Sequence, residues 1–118
     1  MIRGVCTLSI DVTACQNNEK EFADEIALVN YNPWQSAYDN DVNDIKNICS
    51  ELYRKMFIWW DGKINPCDVD YKSHLSPGKF PEISIKESWN SELYNKIRDN
   101  HLNKKRDNFT PCKACSVI

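Results

Sequence analysis

Four of the six cysteines in this chain are spaced in a way that metal sites use. Cys49 and Cys67 flank one segment, and Cys112 and Cys115 form a C-x2-C pair. Such a pair lets two thiolates point into one small volume, because the intervening backbone can turn its amides toward the sulfurs. Two further thiolates from a distant segment would complete a four-sulfur cage, the ligand set of an iron–sulfur cluster or of zinc. We therefore predict these four cysteines as the ligands of one metal centre.

Other arrangements of these side chains have to be weighed against a redox cluster. Four-sulfur sites bind either iron or zinc, so a zinc ion could occupy the same cage. Its role would then be purely structural, holding the hairpin and the tail together. A pair of disulfides is a further alternative. His74 and His101 are candidate ligands as well, but four cysteines already complete the usual set. Cys6 and Cys15 have no third partner nearby in the sequence, and we expect them to be structural or free thiols.

Composition restricts the class of protein to a soluble globular one. The 118 residues are 42% hydrophobic with a formal net charge of −2, which gives no electrostatic case for binding nucleic acid or a membrane. No stretch approaches the ~20 apolar residues that span a bilayer. The first residues lack the apolar run of a secretory signal. We therefore expect a cytoplasmic, reducing location, where cysteines favour metal or redox chemistry over disulfides.

The elements that position the cysteines begin with a small α/β segment. Residues 7–12 alternate polar and apolar side chains, which predicts a half-buried strand. Asn17 or Asn18 can cap a short helix, and residues 26–29 predict a second, more buried strand. Strand, helix, strand is the order of a parallel α/β layer. Since this layer is too small to close, residues 1–32 are predicted to be the edge of something larger.

A connector and a hairpin follow. Residues 33–48 are rich in Asp and Asn and predict a linker, with Trp34 and Tyr38 packed on a neighbour and the acidic run solvated. Residues 56–60 predict an aromatic, β-branched strand, and Asp61-Gly62 predicts a two-residue hairpin loop with a positive φ at the glycine. The returning strand over 63–65 delivers Cys67.

A helix completes the predicted fold of residues 49–118. Ser84 and Glu87 form a capping box that opens it. One face of the helix is predicted to pack on the hairpin; its residues are Trp89, Leu93, Ile97 and Leu102. The predicted fold class is therefore α+β, a β-hairpin and a helix around a four-cysteine metal site, preceded by a short βαβ remnant.

Several residues near the predicted ligands invite a specific role. Trp59 and Trp60 should point to opposite faces of the strand, one filling the core and the other shielding the metal centre from water. A polar turn after Cys67 is predicted to be solvated rather than to face a substrate; it contains Asp68, Asp70, Tyr71 and Lys72. The basic residues that follow the helix are predicted to be a solvated helix end that could soften the charge of a nearby cluster; they are Lys104, Lys105 and Arg106.

Together these residues form a motif that resembles the SPASM/Twitch domains found at the C-terminal end of radical SAM enzymes. Cys49, Gly62 and Cys67, separated by twelve and four residues, resemble the opening motif of those domains. Residues 60–68 resemble their hairpin signature, and residues 111–115 resemble their closing knuckle. Residues 84–91, with Arg98 and His101 further along, resemble their helix, and the likeness covers roughly residues 45–116.

The resemblance implies an auxiliary [4Fe–4S] cluster held by the four predicted cysteines. Such a cluster acts in electron transfer and in forming the substrate pocket of an enzyme whose main cluster cleaves S-adenosylmethionine. The implied partners are a radical SAM core, in the same longer chain or in a separate protein, and a reductant protein. Only three residues follow Cys115, so the single-cluster Twitch form is expected. The alternative function is a zinc-binding structural or interaction module without a redox role.

One departure from the enzyme pattern limits what this chain is expected to do alone. The radical SAM core needs a C-x3-C-x2-C loop, and this sequence contains none. Residues 1–32 resemble the last units of a partial TIM-type barrel without the rest. We therefore expect a C-terminal piece of a longer enzyme, or a remnant without its catalytic core, and assign no catalytic residue.

Overall fold

The computed structural model describes residues 3–7, 21, 23–29 and 34–118. The chain divides into two compact units, one within Met1–Asn32 and the other comprising Pro33–Ser116. In the described residues, no helix is long and apolar enough to cross a membrane.

The first unit contains a pair of parallel strands. Strand β1, Arg3–Thr7, pairs with strand β2, Glu25–Val29, with Gly4 opposite Ile26. The parallel pairing and the position of β2 agree with the sequence prediction. The first strand starts earlier than predicted, and residues 8–12 and the predicted helix cap lie outside the described residues. The barrel remnant stays a prediction, because one parallel pair is common to many α/β folds.

The second unit contains the predicted hairpin, with a different loop. Strand β3, Phe57–Ile58, pairs antiparallel with β4, Ile64–Asn65. The Trp59 amide donates to the Lys63 carbonyl (2.8 Å) and the Gly62 amide to the Trp59 carbonyl (2.9 Å), so the loop has three residues rather than two. A two-residue Asp-Gly loop needs positive φ at both positions, whereas here only Gly62 has it.

Gly62 is required by its backbone conformation and by a close contact. Its φ is +88°, as the sequence predicted, and its carbonyl accepts a hydrogen bond from the Phe80 amide at 2.8 Å. A Cβ at this position would lie 2.5 Å from the Phe80 carbonyl oxygen. The tight approach that a glycine permits is therefore to this neighbouring backbone.

The predicted helix is divided into two. Helix α1, Ile85–Trp89, opens on the predicted capping box, in which the Glu87 amide donates to Ser84 Oγ (3.1 Å) and the Ser84 amide donates to Glu87 Oε2 (2.9 Å). Helix α2, Glu92–Leu102, begins at a second cap, where the Tyr94 amide donates to Ser91 Oγ at 3.3 Å. A second N-cap serine restarts the helix at a new rotation.

The buried side of α2 agrees only in part with the predicted face. The buried face of α2 consists of Tyr94, Ile97 and His101, which recur at the three- and four-residue spacing of one helical face. The prediction is correct for Ile97 and wrong for Leu102, whose side chain is 56% exposed. Leu102 follows His101 by one residue and so lies about 100° around the helix from it.

A small core holds the second unit together. Its buried apolar side chains come from every part of the unit; they include Ala37, Leu52, Ile64, Val69, Leu75, Tyr94 and Ile97. Tyr38 joins the preceding segment to this core, because its hydroxyl donates to Asp70 Oδ1 at 2.6 Å. The side chain of Trp34 lies outside the described residues, while Asp39, Asp41 and Asp44 are exposed, as expected.

Candidate metal centre

The four predicted cysteines line one cavity in the second unit. Cys49, Cys112 and Cys115 are buried, with 8%, 8% and 9% of their surface exposed, and Cys67 is half-buried. All four are thiols rather than disulfides. The structure thus brings together the residues that the sequence selected, and their role as ligands stays a prediction.

Short turns present these thiols. Cys49 is the residue before a 3₁₀ turn, Ser50–Tyr53, and Cys67 follows β4 by way of Pro66. A second 3₁₀ turn, Cys112–Ala114, carries Cys112 and ends at Cys115.

The C-x2-C turn is anchored to the segment that precedes Cys49. The Asn43 amide donates to the Lys113 carbonyl (3.0 Å), and Asn43 Nδ2 donates to the Cys115 carbonyl (3.1 Å). The turn is also closed internally, because the Cys115 amide donates to the Cys112 carbonyl at 3.3 Å. The chain segments at both ends of the candidate site are therefore hydrogen-bonded to each other.

Burial and mutual proximity oppose ionisation of these thiols. Desolvation is the largest cause that raises the pKa of Cys49, of Cys112 and of Cys67, the last to about 12. Negative charge on Cys115 raises the pKa of each of the other three. The sulfurs are thus close enough to repel one another as thiolates, and a cation in the cavity would reverse this effect, since an opposite charge favours the thiolate.

Backbone amides face two of the sulfurs and favour their charged form. The amides of Glu51 and Leu52 lower the pKa of Cys49, and those of Asp70 and Val69 lower the pKa of Cys67, against the larger effect of burial. Such amides are the donors that thiolate ligands of iron–sulfur clusters accept hydrogen bonds from, and they help to set the cluster potential.

Arg106 is a buried component of the site whose role the sequence analysis did not predict correctly. It is 1% exposed and lines the cavity. Its Nη1 donates to the Asn47 carbonyl (3.0 Å), Nη2 to the Cys115 carbonyl (3.1 Å) and Nε to the Cys112 carbonyl (3.3 Å). Its positive charge lowers the pKa of Cys49 and of Cys112 against the effect of burial.

The prediction of a solvated basic helix end is therefore wrong for Arg106, although Lys104 and Lys105 are exposed. Helix α2 ends at Leu102, and Lys104 then takes a positive φ of 60°, so the chain leaves the helical path before it reaches Arg106. Arg106 is buried, while the two lysines before it stay in solvent. A run of three basic residues carries no signal that separates them.

His101 also lines the cavity and is fully buried. The Cys49 amide donates to its Nδ1 at 3.3 Å, and its Nε2 is a buried atom with no hydrogen-bond partner in the described part of the chain. Desolvation and then the charge of Arg106 lower the pKa of this imidazole to about 4. His74, the other histidine considered, is exposed, and its ring centroid lies 4.4 Å from that of Tyr38.

Asp70 is a buried support rather than part of a solvated turn. It is 0% exposed, and its carboxylate accepts hydrogen bonds from the Tyr38 hydroxyl, the His74 amide (2.9 Å) and the Leu75 amide (2.8 Å). The prediction of a solvated turn is therefore wrong for Asp70. It is correct for the neighbouring residues, which are exposed; these are Asp68, Tyr71 and Lys72. The carboxylate fixes the loop that follows Cys67.

Neither predicted tryptophan lines the cavity. Trp60 is 98% exposed because it lies in the hairpin loop rather than in a strand, and Trp59 is half-buried outside the cavity wall. Apolar residues from other segments close the cavity instead; they are Leu52, Pro66, Val69, Leu75 and Pro111. The expectation that one tryptophan shields the centre is wrong, since β3 ends at Ile58, before either tryptophan. The Cys6 and Cys15 side chains lie outside the described residues.

Across the residues that the structure describes, no group of three or more His, Cys, Asp or Glu side chains is arranged to hold a single metal ion.

Comparison with known families places this site in a named class. The model of an iron–sulfur cluster-binding domain, SPASM, matches residues 49–116, more than half of the chain, and the matched region contains all four cavity cysteines. The chain belongs to the SPASM family of iron–sulfur cluster-binding domains. No curated protein and no solved structure matched the chain.

The residues around the cavity fit the group that the family binds. Four soft thiol donors line the cavity, and the guanidinium of Arg106 supplies positive charge for an anionic cluster. The imidazole Nε2 of His101 is a buried polar atom that such a cluster could satisfy.

Proposed function

We propose that this chain binds one [4Fe–4S] cluster through Cys49, Cys67, Cys112 and Cys115, and that it serves as the auxiliary cluster domain of a radical SAM enzyme. The observation that carries the proposal is the cavity of the second unit, which all four thiols line within the region matched by the family. The bound cluster supplies one-electron transfer.

The protein environment favours a redox role over substrate binding. Four thiolate ligands leave a [4Fe–4S] cluster without an open iron site. Apolar walls lower the local dielectric, while backbone amides and Arg106 compensate the negative charge. The chain's own residues thus hold the cluster, exclude water from it and set the charge around it.

The partners in this proposal are a radical SAM core, which this chain helps to shape into a substrate pocket, and a reductant protein. Their support is the likeness of the motif to SPASM/Twitch domains. The thiolate ligands must stay reduced to bind the cluster, and this favours the cytoplasm as the place where the protein works.

Anaerobic purification of the full chain, followed by analysis of iron, sulfide and zinc, tests the proposal. We expect brown protein with about four irons per chain and an electron paramagnetic resonance signal after reduction. The substitutions Cys67→Ser and Cys112→Ser should each remove most of the iron. The matched control is Cys15→Ser, which changes a cysteine outside the predicted ligand set and should leave the iron content unchanged.

Zinc binding is the competing outcome of the same measurement. Colourless protein with about one zinc per chain and no iron would overturn the redox proposal and would indicate a structural module. Iron content equal in wild type and Cys112→Ser would overturn the ligand assignment.

A further inference from the structure

We propose that His101 donates a hydrogen bond from Nε2–H to the cluster held by the four cysteines, and that this bond raises the reduction potential of the cluster. The inference rests on the proposed function and adds a residue that the cysteine motif does not contain. His101 is thereby a positioning and tuning residue, not a ligand.

The placement of the imidazole is the first argument. His101 lies on the buried face of α2, is 0% exposed and contributes to the wall of the cavity that the four thiols line. Its Nε2 is buried and has no hydrogen-bond partner in the described segments. A buried N–H without a partner has lost the hydrogen bonds that it would make to water, so a buried donor of this kind calls for an acceptor.

The tautomer is fixed by the other ring nitrogen. Nδ1 accepts a hydrogen bond from the Cys49 amide at 3.3 Å, so it must carry a lone pair rather than a proton. In the neutral imidazole the proton then resides on Nε2, the nitrogen that lacks a partner. The backbone of one predicted ligand thus orients the ring as a donor.

The same hydrogen bond argues against metal ligation by His101. Coordination through Nε2 would place the proton on Nδ1, where it would face the N–H of Cys49. Two donors would then oppose each other inside a buried site. Donation to a sulfur of the cluster needs no such rearrangement.

The direction of the effect follows from charge. A low-potential one-electron donor adds one electron to the cluster, and the reduced cluster is more negative by one charge. A hydrogen-bond donor stabilises the more negative state more strongly, so it raises the reduction potential.

A pair of substitutions separates the two ring nitrogens. In His101→Asn, the side-chain oxygen can still accept from the Cys49 amide, but no donor reaches the position of Nε2. In His101→Gln, the amide nitrogen can reach the position of Nε2. We expect His101→Asn to lower the equilibrium constant for cluster reduction about tenfold, which is about 59 mV for a one-electron couple, and His101→Gln to restore most of this loss.

Redox titration followed by electron paramagnetic resonance measures the potentials, with iron content measured in parallel. His74→Asn is the matched control, because His74 is exposed and lies outside the cavity. The cluster of this variant should have the same reduction potential as that of the wild type. An unchanged potential in His101→Asn with a full complement of iron would overturn this inference and leave the proposed function intact. Wild-type protein without an iron–sulfur cluster would overturn both.

A measurement on the wild type covers the case in which the variants do not fold. Electron–nuclear double resonance of the reduced protein, with ¹⁵N-labelled histidine, should show an exchangeable proton coupled to the cluster and only a weak coupling to nitrogen. A strong coupling typical of a directly bonded nitrogen, or no exchangeable proton assigned to histidine, would overturn the proposal.

Discussion

Arg106 and Asp70 are charged side chains that the fold removes almost entirely from water. The guanidinium of Arg106 donates to three carbonyl oxygens, and the Asp70 carboxylate accepts from one hydroxyl and two amides. Burying a charge is costly unless hydrogen bonds compensate it, and each residue connects segments far apart in the chain. Single residues of this kind therefore fix the geometry around the four cysteines.

We expect Arg106→Met to weaken retention of the cluster. The substitution leaves the carbonyls of Asn47, Cys112 and Cys115 without a charged donor, and each such hydrogen bond contributes about 1.5–3 kcal/mol. Loss of even one corresponds to about a tenfold faster release of iron to a chelator. Absorbance during anaerobic chelator challenge measures the rate. The exposed neighbour Lys105→Met is the control, and equal rates in the two variants would contradict the prediction.

We expect Tyr38→Phe to destabilise the second unit moderately. The substitution removes the hydrogen bond to Asp70 and the acceptor of the Lys72 amide. A hydrogen bond to a charged group contributes about 1.5–3 kcal/mol, so the free energy of unfolding should fall by about 2 kcal/mol. Anaerobic urea denaturation measures the change. Tyr53→Phe, at a 44% exposed position, is the control and should change stability much less.

The burial of Arg106 and Asp70 could not be predicted from the sequence. In a sequence, charged residues next to turns are by default solvated, and nothing in the run from Lys104 to Arg106 marks its last member as different. The hydrogen-bond partners of Arg106 are backbone carbonyls, which every residue possesses. No side-chain type in the sequence therefore predicts these hydrogen bonds. The four cysteines could be predicted as one candidate site, because few other roles fit that residue type at that spacing.

At the scale of elements, the hairpin and the helix caps show which local rules decide the structure. The Asp61-Gly62 signal and the Ser84 capping box placed the two elements correctly, because turns and caps depend on neighbouring residues alone. The loop length was wrong, and so was the inclusion of Leu102 in the buried face. The loop length depends on register against the partner strand, while Leu102 lies five residues, or about 140°, from the buried Ile97 around α2.

We expect Gly62→Ala to disrupt the hairpin. The added Cβ would lie 2.5 Å from the Phe80 carbonyl oxygen, and the alanine would be held at a φ of +88°. Strain of this type costs about 1–3 kcal/mol before the steric clash is counted, so the free energy of unfolding should fall by about 3 kcal/mol or more. Because β4 leads into Cys67, the iron content should fall as well. Trp60→Ala in the same loop is the control; its side chain is 98% exposed, and it should leave both values unchanged.

We expect Ser91→Ala to weaken the start of α2, the helix that carries His101. The Tyr94 amide would lose its side-chain acceptor, and loss of a serine N-cap costs about 1 kcal/mol. Thermal unfolding under anaerobic conditions should show a lower Tm. Ser91→Asp, which also caps a helix N-terminus, should restore it, and failure to do so would indicate that Ser91 acts in another way.

At the scale of the whole molecule, the second unit has a small core that is arranged around the candidate cluster site. Its elements are short, and the cavity is lined from the loops that carry Cys49, Cys67 and the C-x2-C turn. The family and the cluster chemistry were predictable from the cysteine motif, and the family match confirms the resemblance. Neither the environment of the cavity nor the residues that close it could be predicted, because they depend on contacts between distant segments.

We expect removal of the cluster to loosen the second unit. Binding free energy at such a site is also folding free energy, and the four thiols repel one another once ionised. Hydrogen–deuterium exchange of protein before and after removal of iron should show faster exchange around the four cysteines and at the end of α2. Cys112→Ser should resemble the iron-free protein, and equal exchange with and without iron would contradict the prediction.

The hydrogen bonds that Arg106 and Asn43 make have a consequence for assembly. They join the segment before Cys49 to the turn after Cys112, so the polypeptide itself closes the long intervening loop. The sulfurs at the two ends of the loop are thereby held near one another by bonds that do not involve the inorganic core. Less of the entropy of closing the loop then falls on the binding of that core.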